Sequence, residues 1–329
     1  MTAYTGIQGQ NILIVSSDPA NPTEGQIWYN STTNLLKGYQ LIAAAWSSGG
    51  NLPVATFGNA GSGIQTAALS FGGYTPPVAG VVATTVSYNG TSWSPAPSLN
   101  TARRLLGGAG TQTSALAFGG LDNPQARLTT TESYNGSSWT SVNSLNTGRA
   151  LLSGAGASNT AALAFGGFTG PAGSSPTAAS ESWNGTSWTN TPSLNTSRRG
   201  LAGAGTQTAG LAFGGGPSPA LSASESFNGS TWTNTPSLNT ARGFFGGAGT
   251  QTSALGFGGV IPPQTGATES WNGSSWTTVA SMTLARQEFA GAGASNSSAL
   301  AFGGETTVGV ANTEEWNGAT LETKTITTS

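Results

Sequence analysis

Two charged residue types recur in step along this chain. Glutamates stand at Glu132, Glu181, Glu225, Glu269 and Glu314, and arginines at Arg103, Arg149, Arg198, Arg242 and Arg286. Carboxylates repeated in this way suit general acid–base chemistry, Ca²⁺ ligation or ion pairing. Five equivalent copies favour ion pairing, because a reaction centre is built once and an architectural contact is built in every unit. In the first unit Val54 stands in the Arg slot and Val86 in the Glu slot. Joint loss implies that the two pair with each other, since a single loss would leave a buried charge unpaired. Glu132 is thus expected to pair with Arg149 or Arg103, and the joint loss favours Arg103.

Other chemistry is scarce. The chain has no Cys and no His, which removes disulfides, ordinary zinc sites, Cys nucleophiles and the Ser–His–Asp arrangement. Glycoside hydrolysis would have to use the repeated glutamates or Glu24, Glu288, Glu305, Glu315 and Glu322, and none of these forms a convincing pair. Asp occurs only at Asp18 and Asp122, and no Ser-x-Asp-x-Gly turn of the sialidase kind is present. The expectation is therefore no enzyme, no metal and no cofactor.

Composition narrows the partners. Ten basic and twelve acidic residues leave a net charge of −2 with no basic run, which argues against nucleic acid. The longest apolar run at the N-terminus, Ile12-Leu13-Ile14-Val15, is far below a membrane span and lacks the context of a secretory signal. Neither membrane insertion nor signal-peptide export is expected.

The elements that must position the charged pairs are repeats. Phe-Gly-Gly begins at Phe71, Phe118, Phe165, Phe213, Phe257 and Phe302, giving spacings of 47, 47, 48, 44 and 45 residues. Each is followed by an aromatic-Asn-Gly, and five residues past that aromatic lie Trp93, Trp139, Trp188, Trp232 and Trp276, with Leu321 in the sixth slot. Every unit reads as four short strands: a Gly/Ala-rich first, a second running into the glycines, a third ending at Asn-Gly, and a fourth carrying Trp. The Asn-Gly pair is expected to form a type I′ hairpin turn, so its Ser/Thr neighbours belong to the next strand and not to a glycosylation signal. No helix longer than a turn is expected. Six such units over residues 51–329 describe an all-β, six-bladed β-propeller. Trp139 and Trp188 should be buried between blades.

The combination of Phe-Gly-Gly, Glu-x-aromatic, Trp and Arg in units of this length resembles the Kelch repeat of galactose-oxidase-like propellers. The resemblance implies fold alone, since the architecture hosts both enzymes and binding modules. The copper oxidase of that group needs a Cys-crosslinked Tyr and His ligands, which this chain lacks. Ring closure has two candidates, Leu41–Trp46 and Leu321–Ile326, and the C-terminal segment is favoured.

Residues 1–50 share no repeat. Gly25–Tyr39 reads as a strand–turn–strand hairpin, and its Gly-Gln-Ile-Trp-Tyr-Asn-Ser-Thr-Thr-Asn-Leu-Leu-Lys stretch resembles a segment of structural proteins of tailed bacteriophages, marine ones in particular. That resemblance implies a virion protein, made in the host cytoplasm and attached to other virion proteins through Ile27, Trp28 and Tyr29. The connections between second and third strands, beginning at Tyr74, Leu121, Phe168, Gly216, Val260 and Glu305, hold most of the variation between units. They should share a face with the start of each first strand. Loops on a rigid scaffold are where recognition sits, so Tyr74, Asp122, Arg127, Phe168 and Ile261 are the candidate contacts for a host-surface glycan or protein. The alternatives are a purely architectural virion protein and an intracellular Kelch-type adaptor.

Overall fold

The computed structural model describes residues 12–76, 80–123, 125–170, 175–216 and 220–327. The remainder of four variable loops (77–79, 124, 171–174 and 217–219) lies outside the described residues. Two compact units are present, Ala45–Asn317 and a second made from Met1–Ala44 with Gly318–Ser329.

The larger unit is a β-propeller of six four-stranded antiparallel sheets. Blade 1 contains Ala60–Ile64, Ala67–Phe71, Thr85–Tyr88 and Trp93–Ala96 from axis to rim, and blade 2 contains Gly107–Gly110, Ala115–Phe118, Thr131–Tyr134 and Trp139–Val142. Blades 3, 4 and 5 repeat the plan, and blade 6 contains Ala290–Ser295, Ser298–Phe302, Thr313–Asn317 and Ala45–Ser48. Successive first strands are neighbours around the axis, and that of blade 6 adjoins that of blade 1, so the ring closes. Glycine permits the crowding there. A methyl group on Gly154 would lie 2.6 Å from the Gly108 carbonyl oxygen of the preceding blade.

The closing strand is Ala45–Ser48, which corrects the expectation that Leu321–Ile326 would complete the ring. Trp46 pairs with Trp316, stacks 5.0 Å from Phe257 and donates Nε1–H to Thr268 Oγ1 at 3.0 Å. The other blades pack their fourth-strand Trp against the preceding blade's Phe in the same way, as with Trp139 on Phe71 and Trp188 on Phe118, both at 5.1 Å. The Trp139 Nε1–H, however, has no partner among the described residues. An indole fills the space between blades, and Leu321 carries no such ring. The C-terminal strand Thr320–Thr325 instead pairs with Leu35–Ile42 in the smaller unit.

Each repeated Arg–Glu pair is a buried lock within one blade. Arg103 meets Glu132 at 3.1 Å, Arg149 meets Glu181 at 2.8 Å, and Arg198, Arg242 and Arg286 meet Glu225, Glu269 and Glu314 likewise. The expected Arg103 partner is the observed one. The second carboxylate oxygen of Glu132 accepts the Asn100 N–H at 2.6 Å, and Asn100 Nδ2 donates to the Trp139 carbonyl at 3.1 Å. The lock therefore pins the connection arriving from the preceding blade. Burial pulls the Arg103 guanidinium down to about 10, with Glu132 opposing, so it stays charged at neutral pH.

Two details of the repeat differ from expectation. The Arg slot of blade 1 holds Thr56, not Val54. Thr56 O accepts from Gly304 N as Arg103 O accepts from Gly73 N, both at 2.8 Å, whereas Val54 is exposed. The Asn-Gly turns are four-residue loops and not type I′ hairpins. Asn135 Oδ1 accepts the N–H groups of Ser137 and Ser138 at 2.9 Å, and only Gly136 takes positive φ, at 92°. An Asx side chain replaces the second left-handed residue.

The smaller unit is a four-stranded sheet of Leu13–Val15, Ile27–Asn30, Leu35–Ile42 and Thr320–Thr325. Its hairpin joins Ile27–Asn30 to Leu35–Ile42. Asp18 organises it, accepting from Trp28 Nε1 at 3.0 Å and Asn30 Nδ2 at 2.8 Å and pairing with Lys37 at 2.5 Å. Lys37, then Asn30 and Trp28, hold the Asp18 carboxyl down at about 2.

Candidate functional site: the loop-bearing face of the propeller

The chain reaches each first strand through one residue in a left-handed conformation. These are Gly58, Leu105, Leu151, Gly200, Phe244 and Glu288, with φ between 51° and 62°. Each donates its N–H to the carbonyl of its counterpart in the neighbouring blade. Leu105 donates to Gly58, Leu151 to Leu105, Gly200 to Leu151, Phe244 to Gly200, Glu288 to Phe244 and Gly58 to Glu288, at 2.6–3.0 Å. Six backbone hydrogen bonds thus close a ring about the axis. The geometry suits glycine, and only Gly58 and Gly200 supply it; four side chains bear the αL strain of roughly 1–2 kcal/mol each. Non-glycine αL residues concentrate at functional sites.

The segments just ahead of this ring bond to the variable loops. Arg104 bridges to Leu121, Ala150 to Phe168, Gly243 to Val260 and Gln287 to Glu305. Variable loops and strand starts therefore share one face, as expected. On it the Arg104 guanidinium lies 5.6 Å from the Tyr74 ring centre, and Tyr74 stacks on Phe57 at 5.1 Å. Arg127 and Arg199 lie 5.2 and 5.6 Å from the Phe168 ring centre. Such cation–π contacts hold the guanidiniums in place while leaving them unneutralised.

The charge distribution singles this face out. The locks occupy five arginines and five glutamates of the propeller. Its remaining arginines, Arg104, Arg127 and Arg199, all stand on this face with Asp122, Glu288 and Glu305. Glu315 is apart, on the third strand of blade 6, accepting from Tyr88 Oη at 2.6 Å.

The sequence-derived candidates fare unevenly. Tyr74, Asp122, Arg127 and Ile261 are partly exposed on this face. Phe168 is a correction. It is 4% exposed, packed with Leu121 and Ala150, and serves as the platform beneath two arginines rather than as a contact. Asp122 is partly committed, its Oδ1 accepting the Ala126 N–H at 2.7 Å and bracing its own loop. Trp28, expected as an attachment contact, is fully buried in the smaller unit; Ile27 and Tyr29 are half-buried beside it.

Sequence reasoning missed Arg104, Arg199 and the axial group Leu105, Leu151, Phe244 and Glu288. Burial, then Glu305, raises the Glu288 carboxyl to about 7, against a smaller lowering by Arg104. The available signal was variation inside an otherwise constant stretch: Gly, Leu, Leu, Gly, Phe, Glu at one slot.

Among the described residues no group of three His, Cys, Asp or Glu side chains is placed to hold a metal ion, and no helix is long and apolar enough to cross a membrane. Comparison with protein families and with curated proteins found no match to this chain.

Proposed function

We propose that this chain is a non-enzymatic virion structural protein of a tailed bacteriophage. Its Kelch-like propeller presents the loop-bearing face to a host-surface glycan or protein, and the segment containing Ile27, Trp28 and Tyr29 attaches it to other virion proteins. One observation carries the recognition half: the arginines not consumed by blade architecture gather on the variable-loop face, each beside an aromatic ring. Guanidinium–aromatic pairs on a rigid frame suit hydrogen bonding to sugar hydroxyls or to a polar protein surface. The attachment half rests on the resemblance of Gly25–Lys37 to phage structural proteins.

The test separates the halves. Deleting residues 1–38 removes the hairpin but keeps the closing strand, so the propeller should fold and incorporation into particles should fail. Replacing Arg104, Arg127 and Arg199 by Ala should leave incorporation intact and weaken attachment of particles to host cells at least tenfold. Unchanged attachment would instead favour a purely architectural protein.

A further inference from the structure

A cavity of about 80 Å³ opens at the axis of the loop-bearing face. Leu105, Leu151, Phe244, Asn59 and Glu288 are among its lining residues. Among the described residues around it Glu288 alone is charged, and its carboxylate has no hydrogen-bond donor among the described side chains. Asn59 is 7% exposed and committed to the blade, its Nδ2 donating to Ser70 at 2.8 Å and its Oδ1 buried out of reach of the cavity. The N–H groups of the six-residue ring are consumed within the ring. The cavity thus offers one unused anionic acceptor, the Glu288 carboxylate, beside an aliphatic and aromatic wall.

We infer that this axial cavity binds an aliphatic primary ammonium group, such as a lysine side chain carries. The ammonium donates to the Glu288 carboxylate, and its methylene stem suits Leu105, Leu151 and Phe244. An anion would meet Glu288, and a neutral alkyl group would leave its carboxylate unpaired. The inference deepens the reading of this face as a recognition surface and rests on it. The charged groups facing Glu288 are Glu305, which reinforces attraction for a cation, and Arg104, which opposes it.

Calorimetry on the intact purified chain tests it, with n-butylammonium, Nα-acetyl-lysine methylamide, n-butanol and butyrate as probes at pH 8. The amines should bind at least tenfold more tightly than butanol or butyrate. Glu288→Gln should weaken the amines at least tenfold. In the unmodified chain, amine binding should fade between pH 8 and pH 5.5 as Glu288 protonates, a readout that needs no variant. Tighter binding of the lysine amide than of butylammonium supports a protein source for the ammonium, and the reverse supports a small free amine. Equal binding of butanol, or amine binding unchanged in Glu288→Gln, overturns the inference. Such a failure leaves the arginine-dependent attachment of particles untouched, so the two readings fall separately.

Discussion

Trp46 packs 5.0 Å from Phe257, although the two residues belong to opposite ends of the chain's repeat array. This contact joins the closing strand of blade 6 to blade 5, in the way Trp188 joins blade 3 to blade 2. The indole also donates to Thr268, so hydrophobic burial and a buried hydrogen bond act at one seam.

Removing that indole should open the ring. Trp46→Ala should destabilise the propeller by about 3–5 kcal/mol, whereas truncation after Asn317 should leave the transition of the propeller near its original midpoint. Denaturant unfolding followed by near-UV circular dichroism distinguishes the two. Equal loss in both proteins would show that the C-terminal strand matters to closure after all.

The Arg149–Glu181 lock is fully buried and hydrogen-bonded at both ends, with Glu181 Oε2 also accepting the Asn146 N–H at 2.7 Å. Arg149→Ala should cost about 3–5 kcal/mol by stranding the carboxylate. The double replacement Arg149→Met with Glu181→Leu should cost less than Arg149→Ala, because no charge is then left unpaired. A double variant weaker than the single one would show that the pair stabilises beyond mutual neutralisation.

Blade 1 explains how a lock can be dispensed with. Thr56 replaces the arginine and Val86 the glutamate, and Pro53 occupies the position whose N–H, at Asn100 in blade 2, binds the carboxylate. Proline has no such donor. A cavity of about 50 Å³ lined by Pro53, Thr56 and Val86 remains. Val86→Glu should therefore cost about 3–5 kcal/mol, and adding Thr56→Arg should recover only part of it, since the backbone donor is still absent. Full recovery in thermal melts would refute this role for Pro53.

Glu288 gives the fold a pH dependence of known sign. Its folded carboxyl stands near 7 against an ordinary 4.5, so the folded state holds the proton more tightly than the unfolded chain does. The contribution of this group to stability is greatest below about pH 4.5 and is lost as pH rises to about 7. Glu288→Gln should raise the melting temperature at pH 8 relative to the unmodified chain, and the difference should shrink towards pH 4.5. A difference independent of pH would mean that the carboxyl titrates normally.

The blades were legible because each repeats the same packing problem. Phe118, Trp188 and the Arg149–Glu181 pair answer it with side chains that few others can replace. Closure was not legible in the same way, because both chain ends supply a plausible strand and only the placement of Trp46 between blades decides. The residue in register with Arg103 was obscured in blade 1 by the loss of both charges, which drew the eye to Val54 instead of Thr56. The axial group was hidden for a different reason. Its ring is held by backbone hydrogen bonds, so Leu105, Phe244 and Glu288 share a position without sharing chemistry. Phe168 shows the converse, an aromatic residue on a variable loop whose ring is spent on supporting arginines.

Closure by the N-terminal strand also sets a timetable. Ser47 and Asn317 are hydrogen-bonded partners 270 residues apart in the chain. At translation rates of about 5–20 residues per second, Ala45–Ser48 waits on the order of 15–55 s for the blade it completes. Until then Trp46 has no seam to enter, and an unpaired strand bearing an indole is a sticky edge. The nascent chain must keep that edge from neighbouring copies until Thr313–Asn317 has followed it out, and the ring stays open until those two strands pair.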